Sequence, residues 1–411
     1  MVQKYLGLAG VGVYIAIASL VLWFGYRYVL ARFASTVTNR QVLWLTAATL
    51  VLLLAVFCVL YPLAKSHIFG KGSDRDEALN LATTELLKGR YPYYPKTYLG
   101  GPISPLPGSL VLAVPFVLLG NSAYQNFFWL FAFLFSMNSY LKDRRLALLL
   151  LWVILAVSPV VLHEFVTGGD LLANSIYVLL FVMWMVSAIP QPGFSGWGKF
   201  LLAVLLGVGL ASRANFILIL PLVFSALVQA AGWKSATQYC AITCLILGLM
   251  IVPFYLYDPH GFSPLHTADK LGQFQTILPF AALIVPLLTG ILALILSLHL
   301  GNGNLPVLLR NCAIVLALPV LSGTVLQSIQ TANLDFSFTG YGLFFLFFGA
   351  VAAACWPGLL GNTRVFATAG RSAQSAAPGV AIPYPARITE TRARDHPGRS
   401  PSRASDRPAA M

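Results

Sequence analysis

Two carboxylates stand where an early apolar stretch of the chain gives way to a polar one. Asp74 and Asp76 fall in the run Gly-Ser-Asp-Arg-Asp-Glu at positions 72–77. A carboxylate at such a place can take a proton from a sugar hydroxyl or hold a cation. The structural alternative is a helix start, with Ser73 as the cap and Asp76 and Glu77 in the first turn. Asp74, which this cap does not explain, is the first candidate for a catalytic base, and Asp76 is the second.

A single arginine interrupts a long apolar stretch in the middle of the chain. Arg213 lies between residues 199–211 and 215–231, both of which are apolar. A guanidinium matches two phosphate oxygens at once, so Arg213 is a candidate for binding a lipid phosphate. A charge at this place is costly unless it is paired or solvated. The alternative interpretation is an arginine that only reaches towards the membrane surface.

A second polar segment follows the apolar stretch that ends at Ser158-Pro159. It carries His163, Glu164 and Asp170. We predict that these three side chains position an acceptor or a cation. A polar loop without a function explains any one of these acids equally well, and it is the clustering of acids that favours a site.

Aromatic residues and rigid turns follow the first acidic run. Tyr91, Tyr93 and Tyr94 stand among prolines, and a later loop contains Asp258 and His260. Such groups can line a sugar or lipid site, and we predict that these five residues line the substrate. The alternative is the aromatic belt of a membrane protein.

The elements that must position these residues are membrane-spanning helices. Of the 411 residues, 58% are hydrophobic and 9% are charged, and the mean hydropathy is +0.78. A soluble protein carries about 25% charged residues, so the composition excludes a soluble globular domain. Spans of about 20 apolar residues are predicted at 5–25, 42–63, 123–141, 146–162, 171–189, 199–211, 215–231, 236–256, 276–298, 308–328 and 339–357. The predicted fold class is all-α, a polytopic membrane helical bundle of about 11 spans.

One long connection and the two chain termini complete the predicted organisation. The outer first loop, 64–122, is expected to hold juxtamembrane helices, because its apolar run 107–120 is too short for a span. Residues 1–41 are predicted to be an N-terminal anchor span with a basic cytoplasmic loop. The tail 362–411 is rich in Arg, Pro, Ala and Ser and is predicted to be disordered.

The charges predict an orientation in the membrane. If the N-terminus is outside, most of the 26 Lys and Arg residues face the cytoplasm, and most of the 13 Asp and Glu residues lie outside. The C-terminus is then cytoplasmic. The net charge of +13 follows this positive-inside pattern and does not indicate nucleic acid.

The order of these features resembles one group of membrane enzymes. An acid lies beyond an early span, a short helix then ends in Gly-Arg-Tyr-Pro-Tyr, and a Pro-rich turn leads into a short apolar helix. With Asp170 in the second outer loop and the turn 209–215 around Arg213, the pattern over residues 60–270 resembles the polytopic lipid-dependent glycosyltransferases of superfamily C. Among them it is most similar to the bacterial family 87 mannosyltransferase-like proteins. The C-terminal third carries no motif of that family.

The resemblance implies transfer of a mannose-like hexose from a polyprenyl-phosphate sugar to a lipid or glycan acceptor. The reaction is expected at the outer face of the bacterial plasma (inner) membrane, with inversion at the anomeric carbon. Residues 42–270 are expected to form the catalytic membrane module and 271–361 further spans. Asp74, or Asp76 in its place, is expected to act as the base, and Arg213 to hold the phosphate. Membrane lipids are the other expected partners, and a divalent cation is the one cofactor left open.

Two other classes of protein stay open. A lipid or small-solute transporter would use a similar bundle, but it predicts ionisable residues within the spans, and few are present. A non-catalytic membrane scaffold needs only the packing. It predicts that Asp74→Asn and Arg213→Ala are tolerated together.

Overall fold

The structure is a computed structural model of the chain. It describes residues 2–29, 32–33, 36–66, 68, 72–265, 270–300 and 304–355. The predicted disordered tail lies outside the described residues. Within these ranges the secondary structure is helical, without a strand, and includes one isolated backbone bridge between Lys96 and Pro102. The prediction of an all-α fold is confirmed for this part of the chain.

Most helices of the described residues follow one another with short connections, and the two longest connections are 88–106 and 258–280. In chain order the helices are α1 Val2–Phe24, α2 Asn39–Lys65, α3 Arg75–Leu87, α4 Pro107–Leu118, α5 Gln125–Leu141, α6 Arg144–Val157, α7 Pro159–Thr167, α8 Asp170–Ala188, α9 Gly196–Leu210, α10 Ala214–Ile217, α11 Leu220–Tyr257, α12 Ala281–Leu298, α13 Leu305–Gln330 and α14 Leu343–Ala354.

Six apolar stretches in the described residues are long enough to cross a membrane. They are Leu6–Val29, Asn39–Lys65, Asp170–Ala188, Ala214–Tyr257, Ala281–Leu298 and Leu305–Gln330. Two bent helix pairs, α4 with α5 and α6 with α7, raise the number to eight if each pair forms one span. These helices are consistent with a multi-pass membrane protein. The predicted count of eleven is not confirmed. Helices α9 and α14 have only 15 and 12 residues, and the longest stretch, Ala214–Tyr257, counts as one span where two were predicted.

Gly232 divides α11, the helix within that longest stretch, into two halves. Its backbone has φ 80° and ψ 165°, a conformation that residues with a side chain rarely adopt. Before it, the Gln229 side chain donates a hydrogen bond to the carbonyl of Leu300. At the far end of the second half, the Tyr91 hydroxyl donates to the carbonyl of Phe254 at 3.0 Å. The two predicted spans of this stretch correspond to the two halves of the kinked helix.

The connection 72–106 packs against one end of the bundle, which we call the long-loop end. Lys65 closes α2 there and pairs with Asp76 at 3.1 Å. Gln3, at the start of α1, donates to the carbonyl of Leu334 at 2.6 Å, in the segment after α13. The chain therefore brings its N-terminal helix to the segment between α13 and α14.

Helix α4 lies along the long-loop end. At its start the Gly108 amide donates to the Ala211 carbonyl at 2.8 Å, in the turn after α9. A side chain at Gly108 would clash with this backbone, so the close approach requires glycine. Just after its last residue, Asn121 donates to the Tyr61 hydroxyl at 2.6 Å, near the end of α2. Both ends of α4 thus contact the same end of the bundle, as expected for the short run 107–120.

Helix α8 is the centre of the apolar core. Of its best spanning window 89% is buried, whereas no residue is buried in the corresponding window of Leu6–Val29. Ring contacts such as Phe133 with Phe347 at 5.3 Å join α5 to α14, so the C-terminal helices belong to the same core. Because Asp170 is the first residue of α8, the central helix presents a carboxylate at the long-loop end.

Candidate functional site

Asp74 occupies the N-cap position of α3, where the sequence predicted Ser73. Its side chain makes no capping hydrogen bond. It accepts one from the Thr97 hydroxyl at 2.5 Å instead. Asp76 and Glu77 lie in the first turn as predicted, where their charge favours the helix N-terminus. The cap prediction was wrong by one residue because a partner 23 positions away competes for the carboxylate of Asp74.

Four consecutive residues at this helix start contact four separate partners. Asp74 binds Thr97, and Glu77 accepts a hydrogen bond from the amide of Tyr98 at 2.9 Å. The other two residues of the turn, Arg75 and Asp76, form ion pairs with other helices. Each of the four residues of the turn 74–77 thus holds the turn against another part of the protein.

Asp76 is 3% exposed and is held in an ion pair. It pairs with Lys65 at 3.1 Å and accepts a hydrogen bond from the Tyr61 hydroxyl at 2.9 Å. Asn121 in turn donates to that hydroxyl at 2.6 Å. Two donors, one of them cationic, hold the carboxylate of Asp76 in place.

Glu164 is buried and forms an ion pair with Arg75. Gly169 lies directly against its carboxylate, where a side chain would not fit. Burial disfavours the charged guanidinium, but the charge of Glu164, together with Tyr341 and Asp170, outweighs burial and raises the pKa of Arg75 above its usual value. The predicted positioning residue therefore fixes the helix turn 74–77 through Arg75. His163, the neighbour of Glu164, is half-buried on α7.

Arg213 and Asp170 form the second buried ion pair. Nη2 of Arg213 lies 2.5 Å from Oδ2 of Asp170, and Nη1 donates to the Ser104 hydroxyl at 3.1 Å. Asn174 donates to the same Asp170 oxygen at 2.9 Å. The Arg213 side chain is 12% exposed, and its Nε is buried without a hydrogen-bond partner. The predicted turn around Arg213 is present as the break between α9 and α10.

Lys270 and Tyr341 join this cluster from the C-terminal third of the chain. Lys270 donates to the Tyr341 hydroxyl at 2.9 Å, and the guanidinium of Arg75 lies 5.3 Å from the ring centroid. Burial would raise the pKa of Tyr341, but the positive charges of Lys270 and Arg75 outweigh it, and the pKa is lowered from its usual 10.0. Lys270 and Arg75 therefore place two cationic side chains at Tyr341, and Arg213 adds a third positive charge nearby.

A cavity lies beside Arg213. Its polar lining residues are Ser104, Arg213, Asn215, Lys270 and Tyr341. The rest of its wall is apolar: Leu106, Ala214, Pro264, Leu271, Pro319, Val320, Phe338 and Phe344. A wall of this kind, with two cations at one part and apolar side chains elsewhere, suits an amphipathic ligand with an anionic group.

The predicted aromatic residues form a separate contact with the end of α11. The Tyr91 hydroxyl also donates to the Asp258 carbonyl at 3.3 Å, and the ring of the buried Tyr93 lies 5.0 Å from that of Phe262. Burial, and then the charge of Asp258, raise the pKa of Tyr91 to about 12. Tyr94 is 58% exposed. Of these tyrosines, none lines the cavity beside Arg213.

Asp258 closes a turn. Its Oδ1 accepts hydrogen bonds from the amides of His260 and Gly261 at 3.1 and 2.9 Å. The bond from Gly261 is the main cause that lowers the pKa of Asp258. Residues 266–269 of this loop lie outside the described residues. Substrate contact by Asp258 and His260 stays a prediction, and the geometry gives Asp258 a structural task.

The sequence did not single out Arg75, Lys270 or Tyr341. Arg75 stands beside Asp74 in the run that drew attention, so its position was a usable signal. Lys270 and Tyr341 carry no local pattern. Among the described residues, no three His, Cys, Asp or Glu side chains come together as metal ligands would, and the divalent cation stays untested.

Comparison of the chain with protein-family models, with curated proteins and with solved structures gives no match. The chemistry of the site therefore carries the functional argument.

Proposed function

We propose that this protein is a membrane glycosyltransferase. It moves a hexose of the mannose class from a polyprenyl-phosphate sugar to an acceptor hydroxyl at the outer face of the membrane. The observation that carries this proposal is the cavity that combines apolar walls with Arg213 and Lys270. A polyprenyl phosphate has the same two parts, an apolar chain and an anionic head.

Arg213 is suited to the phosphate of the donor. Its Nε is buried without a partner, and a buried donor of this kind is stabilised by an anionic acceptor. Asp170 and Asn174 fix the guanidinium from the other side. Lys270 adds a second positive charge at the same cavity. Together they would stabilise the negative charge that develops on the leaving phosphate.

Asp74 is the carboxylate suited to act as the base. It accepts a hydrogen bond from a neutral hydroxyl, whereas Asp76, Glu164 and Asp170 are each bound to a cation. Among the described residues Asp74 is thus the carboxylate of this group that is not held in an ion pair, so it can receive the hydroxyl of an acceptor. The segment from Thr97, which binds Asp74, to Ser104, which binds Arg213, connects the base to the phosphate site.

The reaction is a single displacement. The acceptor hydroxyl oxygen attacks the anomeric carbon, and the bond from that carbon to the phosphate oxygen breaks. The phosphate leaves with the electron pair beside Arg213, and the hydroxyl proton passes to Asp74. Attack from the face opposite the leaving group inverts the anomeric configuration.

The proposal includes an orientation in the plasma membrane, with the N-terminus and the long-loop end outside and the C-terminus in the cytoplasm. Two observations support it. Gln3 contacts the segment between α13 and α14 at the end that holds the cavity. The kink at Gly232 supports two passes within the stretch Ala214–Tyr257, which is needed for the eleven passes expected from hydropathy.

The test is transfer of radiolabelled sugar from synthetic polyprenyl-phosphate mannose or glucose by purified protein in nanodiscs. We expect Asp74→Asn to lower the rate by about 10²- to 10⁴-fold, since the amide cannot take the proton but can still accept the bond from Thr97. Asp335→Asn is the matched control, because within the described residues the Asp335 side chain accepts its hydrogen bond from the Ser337 amide in its own turn. Full activity of Asp74→Asn would refute the assignment of the base.

Binding of the donor separates the remaining outcomes. If the wild type binds polyprenyl-phosphate mannose and Arg213→Ala does not, the phosphate site stands even where transfer to a chosen acceptor is absent. If neither protein binds or transfers either donor, the proposed donor class is wrong.

A further inference from the structure

A second cavity lies on the other side of the helix turn 74–77. It shares no lining residue with the cavity beside Arg213. Its polar lining residues are Lys65, Ser73, Asp76, Glu77, Tyr98 and Thr167. Carboxylates, hydroxyls, one ammonium group and one aromatic ring thus line a single space, where the first cavity has mainly apolar walls.

These groups match the surface of a sugar. Glu77 uses Oε2 to accept the bond from the Tyr98 amide, so its Oε1 can accept from a hydroxyl. The Lys65 side chain is 45% exposed while it pairs with Asp76, and an ammonium group has three protons to donate. Tyr98 is 43% exposed and offers part of its ring as an apolar face. A hexose presents hydroxyls around a C–H face, so it can use both kinds of contact.

The cavity lies next to the proposed base in the chain. Ser73, which lines it, precedes Asp74, and Tyr98 follows Thr97, whose hydroxyl binds Asp74. Asp74 therefore lies between the polar cavity and Arg75, which faces the cluster around Tyr341. Asp74 does not itself line the polar cavity, but its chain neighbour Ser73 does, and so does Tyr98, the neighbour of its partner Thr97.

The charge of the lining selects among sugars. Asp76 and Glu77 outnumber Lys65, and a sugar carboxylate would meet like charges. We infer that this polar cavity is a subsite for a neutral hexose of a glycan acceptor, with the sugar ring on Tyr98 and its hydroxyls on Glu77 and Lys65. That the bound sugar is the acceptor rests on the proposed function, whereas binding of a sugar in the cavity does not depend on it.

Direct binding tests the subsite without catalysis. Saturation-transfer NMR would use the protein in nanodiscs with methyl α-mannoside, methyl α-glucoside and methyl glucuronide, and empty nanodiscs as the blank. We expect saturation of the neutral glycosides by the wild type and by Tyr98→Phe, and its loss in Tyr98→Ala and Glu77→Gln. Tyr255→Ala is the matched control, because Tyr255 is 41% exposed and lines neither cavity. The glucuronide is expected to bind more weakly than either neutral glycoside.

Kinetics add a readout that a general loss of structure would not give. With an active donor and a glycan acceptor, Tyr98→Ala should raise KM for the acceptor by about three- to tenfold and leave KM for the donor unchanged. Equal saturation of neutral glycosides by wild type and Tyr98→Ala, or none by the wild type, would refute the subsite. Glycoside binding without transfer from any polyprenyl-phosphate donor would refute the proposed function and leave the subsite standing.

Discussion

The two ends of helix α3 carry their charges in opposite ways. At its start, Arg75 pairs with Glu164, which is 89 positions away and 1% exposed. At its end, Glu85 pairs with Lys88 and Arg90, whose side chains are 53% and 59% exposed. The first pair joins two parts of the fold. The two pairs of Glu85 stay within eight residues of the chain and face solvent.

The difference between the two ends of α3 indicates which charged residues hold the site in place. Moving a charge out of water has a large desolvation cost, which a partner offsets only with good geometry. Exposed pairs between neighbours carry little of that cost and contribute little. The start of α3 holds its costly charges between the two cavities, so we infer that they serve to fix the turn 74–77. Substitutions at the start of α3, at its end and in the cluster around Tyr341 should therefore differ in their effects.

The largest effect is expected from breaking the buried pair at the start of α3. Arg75→Met leaves the carboxylate of Glu164 buried without a cation, and we expect a loss of about 3–5 kcal/mol in the free energy of unfolding. Transfer activity should fall with it, because the turn that carries Asp74 loses its anchor. Unfolding by SDS in mixed micelles measures the first effect.

The double variant Arg75→Met with Glu164→Gln is the control for this change. It removes both charges, so most of the lost stability should return. If the single and double variants were equally unstable, packing around Arg75 and not the unpaired charge would be the cause.

A smaller effect is expected from Tyr61→Phe. This change removes the hydroxyl that joins Asp76 to Asn121 and keeps the ring that stacks on Phe57 at 4.7 Å. The buried Asp76 and the half-buried Asn121 lose one hydrogen bond each, which costs about 1–3 kcal/mol. The same SDS titration checks it. A change as small as that of an exposed tyrosine, such as Tyr255→Phe, would contradict a role for this hydroxyl in holding Asp76.

The cluster around Tyr341 predicts a pH dependence. The pKa of Tyr341 is lowered in the folded protein, whereas in the unfolded chain it is about 10. Between these two values the unfolded chain binds more protons, so the stability of the wild type relative to Tyr341→Phe should rise with pH and level off above about pH 10. Below the lowered pKa the difference should not change with pH.

Unfolding midpoints of wild type and Tyr341→Phe between neutral pH and pH 10 measure this effect. Lys270→Gln should reduce the slope, because Lys270 is the charge that contributes most to lowering the pKa. A constant difference between the two proteins over the whole range would show that the hydroxyl stays protonated in the folded state.

The sequence predicted the local features and missed the long-range pairs, and the reason is physical. Hydropathy located α2 and α8, and the acidic run located α3, because these signals lie within one turn or one span of the chain. The partners of Arg75 and Asp170 are set by how the loops at the long-loop end pack on one another. No spacing in the chain encodes that packing, and Lys270 and Tyr341 stand alone among ordinary neighbours.

The error at the cap of α3 has the same origin. Ser73 is a good cap by residue type, but Thr97 fixes Asp74 at that position. The count of spans is not confirmed for a different reason. Hydropathy marks where apolar residues lie, whereas bends at Gly232 and at the two helix pairs decide which helices count together as one span.

The smallest effect is expected at the far end of α3. Glu85→Gln removes a carboxylate whose pKa is lowered mainly by a hydrogen bond from Arg90, at 2.5 Å in the ion pair. Both cationic partners are more than half exposed to water, and a negative charge near a helix C-terminus is itself unfavourable. We therefore expect no measurable change in the SDS unfolding midpoint or in transfer. A loss close to that of Arg75→Met would mean that the two ends of α3 are coupled, and the start of the helix could then no longer be treated as the part that holds the site.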